Sequence, residues 1–193
     1  MVSRQPTDPG VETLIARAKA GDQAAFDGLF ERFWPVVYRY FAYRVEDASS
    51  AEDLAAEVFL RVAHGLTGYE QQGVPFQAWI LRIARNLAID HFRKTSTRSE
   101  VAFDEEWPSS PDDDLHLIVD RRLTGERLRD ALDHLTDEQR EVIILRFIVG
   151  CPIAEVVAAL SRSESAVKAL QRRGLAALRA ALTEMKVPYD GSG

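Results

Sequence analysis

The chain of 193 residues is poor in sulfur, with one cysteine and two methionines. The single cysteine, Cys151, cannot form an intramolecular disulfide, which fits a reducing compartment. No run of about 18 apolar residues is present, which argues against a membrane-spanning helix. The N-terminal stretch MVSRQPTDPGVE also lacks the apolar core of a signal peptide. These absences predict a cytoplasmic protein without membrane insertion.

Residue patterns for catalysis and metal binding are also missing. The histidines show no metal-ligand spacing, and Cys151 has no partner cysteine. There is no glycine-rich phosphate-binding loop and no nucleophile motif. We therefore expect no enzyme activity, no catalytic residues, no cofactor and no metal site. Packing or surface roles are expected for His64, His91, His116 and His134.

Charge is present but unevenly distributed. Apolar residues make up 46% of the chain, enough to build a core, and the net charge is −6. The segment FDEEWPSSPDDD, residues 103–114, contains six carboxylates and no Lys or Arg. Residues 76–98 and 161–182 each contain five basic residues and one acidic residue. Clustered positive charge is the electrostatic signature of a nucleic-acid contact, so both basic segments are candidates.

The apolar residues recur at helical spacing almost throughout, which predicts an all-α chain. Helices are predicted for about residues 11–20, 23–40, 49–66, 76–94 and 116–134. The passage LTDEQREVIILRFIVG adds another helix, which ends before Gly150.

Three candidate N-caps accompany these helices. Asp22 is a good N-cap for the second helix. The pairs Ser50–Asp53 and Thr136–Gln139 have the spacing of capping boxes.

The predicted helix 76–94 has two different faces. Its apolar face would pack inward and contains Phe76, Trp79, Ile80, Ile83 and Leu87. Polar residues fall mostly on the opposite side, at Arg82, Arg85, Asn86 and Arg93.

The passage CPIAEVVAALSRSESAVKALQRRGLAAL is typical of a helix-turn-helix. A short apolar helix is followed by a tight turn and a longer helix that carries basic residues on one side. In this motif the second helix enters the major groove of DNA.

These passages resemble those of a known family. AEDLAAEVFLRV with PFQAWILRIARNLAIDHFRK is similar to a sigma-2 domain, and LTDEQREVIILRFIVG with the helix-turn-helix is similar to a sigma-4 domain. With their flanking helices they cover most of residues 11–182. The chain thus resembles the extracytoplasmic-function (ECF) group of alternative sigma factors, in the sigma-70 family. The resemblance implies a protein that binds core RNA polymerase, directs it to promoters, helps to melt DNA and is held inactive by an anti-sigma factor.

The resemblance also implies a domain organisation. We expect a disordered N-terminus (1–10), a sigma-2 domain (11–95), an acidic flexible linker (96–115), a sigma-4 domain (116–184) and a tail (185–193). In the family this linker runs through polymerase channels that later hold RNA. Its carboxylates could therefore mimic RNA in a basic channel, or the linker could be a plain solvated tether.

The polymerase contact is expected on the third helix. Asp53, Glu57 and Arg61 recur four residues apart and form one polar stripe. In the family this surface docks on the clamp helices of the largest polymerase subunit, and sigma-4 binds the flap region. Without the resemblance, the stripe would be interpreted as an ordinary solvated helix face.

The −10 element is expected to contact the loop TGYEQQGVP and the fourth helix. Melted DNA requires phosphate contacts and platforms for unstacked bases. The implied −10 residues are Tyr69, Gln71, Gln72, Arg82, Arg85, Asn86 and Arg93. Tyr69 is the stacking candidate, whereas the phase of Trp79 favours the core over a role as a melting wedge.

The −35 element is expected to contact the second helix of the helix-turn-helix. The implied residues are Ser163, Ser165, Lys168, Arg172 and Arg173. The serines would cap the helix and contact phosphate, and the basic residues would bind guanine edges or phosphates. The chain departs from the usual pattern at Val157, Ser161, where a turn glycine is common, and Gln171, where an apolar residue is usual.

Two other functions fit parts of the sequence. A helix-turn-helix regulator that never joins polymerase would use the first domain for dimerisation and bind palindromic duplex by itself. A small helical enzyme would need a catalytic constellation, which the sequence does not offer.

Overall fold

The computed structural model describes residues 9–70, 74–95 and 125–185. In these ranges every regular element is helical, so the predicted all-α class is confirmed. The helices are α1 Pro9–Lys19, α2 Gln23–Ala42, α3 Ala48–Gly65, α4 Phe76–Thr95, α5 Gly125–Leu132, α6 Asp137–Ile143, α7 Ile153–Leu160 and α8 Glu164–Glu184. A 3₁₀ turn, Leu66–Gly68, follows α3, and the π-helical segment Ile144–Ile148 continues α6.

Several sequence predictions lie outside the described residues. They concern Gln71 and Gln72, the acidic linker, most of the N-terminus and tail, and the first part of the helix predicted for 116–134. At the N-terminus, α1 begins at Pro9, two residues earlier than the sequence pattern predicts.

The chain divides into two compact units. The first contains Met1–Thr97 together with Pro152–Ser161, and the second contains Arg98–Cys151 together with Arg162–Gly193. The first helix of the helix-turn-helix, α7, is therefore grouped with α1–α4.

The first unit is built around the apolar faces of α2, α3 and α4. Its largest fully buried side chains include Leu29, Tyr40, Phe41, Phe76 and Ile80. Within this unit α7 packs against α4, where Gln77 Nε2 donates a hydrogen bond to Glu155 Oε2 at 2.8 Å. Burial raises the pKa of Glu155, and the bond from Gln77 opposes that rise.

The junction between α1 and α2 is polar. Asp22 caps α2, as predicted, and accepts a hydrogen bond from the Ala25 amide at 3.2 Å. Arg17 Nη2 lies 2.6 Å from Asp22 Oδ2. The hydrogen bond from Arg17, followed by the bond from Ala25, lowers the pKa of Asp22.

The start of α3 differs from the prediction. Asp47, rather than Ser50, is the N-cap, and it accepts hydrogen bonds from the Ser50 amide and the Ser50 hydroxyl, each at 2.7 Å. The helix therefore begins at Ala48, and Ser50 acts as a donor within the first turn.

The second unit packs α8 against α6. The predicted capping box of α6 is confirmed, because Thr136 Oγ1 accepts from the Gln139 amide and Gln139 Oε1 accepts from the Thr136 amide. Gly174 is the point of close approach between the two helices. A Cβ atom there would lie 2.8 Å from Ile143 Cγ1, so a larger residue would push the helices apart.

The turn that follows α7 has a left-handed backbone. Ser161 adopts φ 53° and ψ 42° at the C-cap of α7. Glycine adopts this conformation with little strain, which explains why the family pattern favours glycine at this position.

Candidate polymerase and nucleic-acid interfaces

The predicted polymerase-binding stripe lies on the outer side of α3. Its opposite side is buried through Ala51, Ala55, Val58, Phe59 and Val62. Asp53 and Arg61 are exposed, Glu57 is half-buried, and Arg61 Nε donates to Glu57 Oε1 at 3.0 Å. Leu60, beside the stripe, remains 58% exposed. A surface with one exposed apolar residue among charged ones suits a helix–helix contact with a protein partner.

The basic residues of α4 emerge from a helix that is buried along one side. Ile80, Leu81, Ala84 and Ala88 are buried, whereas Arg82 and Arg85 are half-buried and Asn86 is exposed. Arg93 is exposed and lies 3.6 Å from Asp90, measured from Nη2 to Oδ1. The structure thus places Arg82, Arg85, Asn86 and Arg93 on one helix.

Tyr69 does not present its ring to solvent. The side chain is 4% exposed, and its ring centroid lies 5.2 Å from that of Phe76 and 4.9 Å from that of Trp79. Its hydroxyl donates a hydrogen bond to the Val74 carbonyl at 2.9 Å. Burial raises the pKa of Tyr69, and the charge of Glu12 adds to the rise. In this arrangement the Tyr69 ring has no open face for a base.

Three contacts in the first unit were missed by sequence reasoning. Lys19 Nζ donates to the Tyr69 carbonyl at 2.8 Å, across fifty positions of sequence. Trp79 packs against Phe76, as its phase predicts, and its ring also covers Gly65. Arg44 is buried, with its guanidinium carbon 5.3 Å from the Phe92 ring centroid.

The start of α8 is capped as the sequence predicts. Ser163 Oγ accepts a hydrogen bond from the Ala166 amide at 3.2 Å, and Ser165 Oγ lies 3.1 Å from Ser163 Oγ. Arg162, just before the helix, forms an ion pair with Glu138 of α6. The cap and the ion pair fix where α8 begins.

The basic residues of α8 lie in solvent. Lys168, Arg172 and Arg173 are exposed, and Lys168 Nζ lies 2.7 Å from Glu164 Oε1 one turn earlier. The inner side of the helix is buried at Val167, Leu170, Gly174 and Leu178. The structure thus brings Ser163, Ser165 and the three basic residues together on the first half of one helix.

No metal-binding cluster of three or more His, Cys, Asp or Glu side chains occurs in the described ranges 9–70, 74–95 and 125–185. Cys151 is buried and not in a disulfide. Among the same residues, none of the helices has both the length and the apolar character needed to cross a bilayer.

Two family models match the chain. Sigma-70 region 2 matches residues 29–98, which include α3 and α4, and Sigma-70, region 4 matches residues 125–178, which include α7 and the first part of α8.

Two named proteins are similar to most of the chain. ECF RNA polymerase sigma factor BldN of Streptomyces coelicolor is 38% identical over 86% of this chain and 63% of its own length. ECF RNA polymerase sigma factor SigX of Bacillus subtilis is 38% identical over 81% of this chain and 83% of its own length.

A solved structure agrees with the sequence relationship. CnrH, in its complex with the cytosolic domain of CnrY, superimposes with a TM-score of 0.71 and 27% identity, covering 91% of this chain and 98% of CnrH. The identity to SigX and the two family models, taken with a capped basic helix and an outer polar stripe, lead to one conclusion. The chain belongs to the ECF group of the sigma-70 family of RNA polymerase sigma factors.

Proposed function

We propose that this chain binds core RNA polymerase, directs it to promoters through their −10 and −35 elements and promotes DNA melting. One observation carries the proposal. The two regions matched by the family models each contain a helix with a basic outer side, α4 in one and α8 in the other. As an initiation factor the protein is not itself an enzyme, and we place it in the cytoplasm with the polymerase.

We propose that α3 makes the principal polymerase contact, on the clamp helices of the largest subunit. Asp53, Glu57 and Arg61 supply the charged contacts, and exposed Leu60 supplies apolar area at their centre. Because the Glu57–Arg61 pair is half-exposed, it can exchange its internal ion pair for a partner's charge at small cost. A contact between the region 4 part and the polymerase flap completes the docking.

At the −10 element, α4 would bind the melted strand. Arg82, Arg85 and Arg93 fit phosphate oxygens, and the exposed Asn86 amide can both donate to and accept from a base edge. Tyr69, buried against Phe76 and Trp79, would hold Val74 near the start of α4 rather than stack on a base in this conformation. Gln71 and Gln72 keep their predicted role as −10 contacts.

At the −35 element, α8 would enter the major groove. Lys168 and Arg172 lie four residues apart on one side, where a guanidinium can bind guanine O6 and N7 and an ammonium can bind phosphate. Arg173 lies on an adjacent side and fits the flanking backbone. Ser163 and Ser165 stand at the positive end of the helix dipole, which favours a phosphate there.

A protein that covers these surfaces would hold the factor inactive. We propose an anti-sigma factor as this partner, as the family resemblance implies. The complex of CnrH with the cytosolic domain of CnrY shows that a similar protein is bound by another chain.

The test is run-off transcription by core polymerase with and without the protein, on promoters found by chromatin mapping. We expect transcripts that depend on the protein and a stable complex with core enzyme. Asp53→Arg should abolish core binding, whereas Glu52→Arg makes a matched change one position along α3, on a different side, and should be tolerated. Tight binding of palindromic duplex without polymerase, and no binding to core, would favour an independent regulator instead.

A further inference from the structure

Arg146 connects two parts of the second unit that the sequence does not bring together. It lies in the π-helical segment Ile144–Ile148 and is half-buried. Its Nε donates a hydrogen bond to Gln171 Oε1 of α8 at 3.3 Å, and its Nη1 donates to the backbone carbonyl of Cys151. A guanidinium is planar, with its donors in a fixed fork, so both acceptors are held relative to one another.

The two acceptors belong to different elements. Gln171 lies on α8, between Lys168 one turn earlier and Gly174 one turn later. The Cys151 carbonyl belongs to the turn after Gly150, and this turn is itself held by the Cys151 amide, which donates to the Leu145 carbonyl at 2.8 Å. The Arg146 guanidinium therefore ties the basic helix to a fixed turn of the backbone.

The position of this tie along α8 matters because of Gly174. Close approach at Gly174 anchors α8 on Ile143 at one level, but a single contact still allows the helix to rotate and tilt about it. Gln171 gives a second fixed point one turn nearer the DNA-facing end. Because side-chain ends lie roughly 6 Å from a helix axis, a rotation of about 15° would move them by ~1.5 Å. That displacement is enough to misalign a bidentate contact to a base.

We propose that Arg146 is a positioning residue for −35 recognition, acting through Gln171 to set the rotation of α8. The inference deepens the proposed function and depends on it. It also gives a role to a polar residue at position 171, because an apolar side chain there could not accept the hydrogen bond from Arg146. In this role Arg146 sets base preference without contacting a base.

The test uses holoenzyme assembled from core polymerase and the full chain. Run-off transcription is measured on a promoter with its preferred −35 element and on templates with single-base changes in that element. The quantity of interest is the ratio of preferred to altered template for each protein. We expect Gln171→Leu and Arg146→Met each to lower this ratio by roughly three- to tenfold, the equivalent of one ordinary intramolecular hydrogen bond. The double variant should lower it no further than either single change, because both remove the same tie.

Two further variants separate positioning from a direct phosphate contact. Arg146→Lys keeps the charge but loses the planar fork, so its ratio of preferred to altered template should be as low as that of Arg146→Met. Gln23→Leu makes the same chemical change as Gln171→Leu at an exposed position of α2 and should leave the ratio unchanged. Thermal unfolding of each variant serves as a folding control, since a purely structural defect would lower transcription on all templates without changing the ratio.

The opposite pattern would overturn the proposal. If Arg146→Met lowers transcription equally on every template, Arg146→Lys behaves as wild type and Gln171→Leu has no effect, then Arg146 binds phosphate and does not position α8. If the Arg146 variants fold poorly, Gln171→Leu still tests the proposal by itself, because an unchanged ratio for this variant would overturn the positioning role. A wild-type protein that yields no polymerase-dependent transcript would instead remove the proposed function itself, a result that cannot be confused with unchanged variant ratios.

Discussion

The helices α4 and α8 are similar in length and in basic character, but they are held in the protein by different means. α4 is lined by aromatic rings, with Phe76 and Trp79 at its start and Tyr69 packed against both. α8 has no aromatic residue and is held by the close approach at Gly174 and by polar ties to α6 and the π-helical segment. Arg82 and Arg85 of α4 are half-buried and Arg93 near its end is exposed, whereas all the basic residues of α8 are exposed.

The difference fits two kinds of DNA. A helix that enters a major groove must lie close to the base edges, with its polar side chains free to reach them. An exposed helix without aromatic residues meets both needs. A melted strand is bound along its backbone by half-sheltered cations next to apolar surfaces. Basic charge alone therefore does not distinguish the two sites; the packing beneath the charge does.

The largest expected effect is on α8, the helix proposed to enter duplex DNA. The double change Lys168→Ala with Arg172→Ala should lower transcription from promoters with a −35 element by roughly thirtyfold, since each good base contact contributes about 1–3 kcal/mol. Arg179→Ala, an exposed charge farther along the same helix, is the matched control and should have little effect. An equal loss for each positive charge removed, whether at Arg179 or at Lys168 and Arg172, would show that only the total charge of α8 matters.

Substitution of Gly174 tests how α8 packs against α6. Gly174→Ile should destabilise the second unit by about 1–3 kcal/mol, because the new side chain would overlap Ile143. Gly68→Ala is the control, because a Cβ atom at that position meets no atom within 4 Å. Urea unfolding of the full chain measures both variants. Equal stabilities would mean that α6 and α8 are not in close contact at Gly174.

The turn before α8 offers a stabilising change. Ser161→Gly should increase the free energy of unfolding by about 1 kcal/mol, because glycine relieves the left-handed strain at φ 53°. Gly150→Ala should have the opposite sign, since its φ is 87° and its surroundings are open, so only backbone strain is added. A destabilising Ser161→Gly would indicate that this turn is not left-handed in solution.

The smallest expected effect concerns the polar junction of the first unit. Folding lowers the pKa of Asp22, so the charged carboxylate stabilises the folded state. This contribution to stability is present above the unfolded pKa of about 3.9 and is lost as the pH falls through the lower folded pKa. Asp22→Asn keeps a capping oxygen but loses the charge that pairs with Arg17. The wild type should be slightly more stable at neutral pH, and the difference should vanish in strong acid or high salt. Melting temperatures across pH measure this; a difference that persists in acid would assign it to the cap rather than the charge.

Features coded by neighbouring residues were predictable from the sequence. The cap at Asp22 and the capping box at Thr136 depend on spacing within one turn, and both are present. Of the stripe predicted to pack inward on α4, Phe76, Ile80 and Leu87 are buried, and Trp79 and Ile83 are half-buried. The Ser50–Asp53 box was wrong because Asp47, another strong N-cap, lies three residues before Ser50 and takes its amide. Two competing caps in one window cannot be ranked by residue type alone.

Features that depend on distant residues were not predictable. Tyr69 reads as an exposed stacking residue in a polar loop, yet Phe76 and Trp79 bury it, and Lys19 reaches its carbonyl from α1. The switch of α6 into a π-helical segment places Arg146 toward Gln171, and no periodicity signals it. Such contacts depend on how helices pack, which local patterns do not determine.

The central claim, that α4 binds the melted strand and α8 the duplex, is tested most directly on a template opened in advance at −10 and lacking a −35 element. The measurement is run-off transcription by holoenzyme carrying wild-type protein, Arg82→Ala with Arg85→Ala, or Lys168→Ala with Arg172→Ala. We predict that the α8 variant equals wild type on this template, while the α4 variant loses about tenfold or more through its missing phosphate contacts. An α8 variant that is equally defective there, or an α4 variant with full activity, would contradict the account.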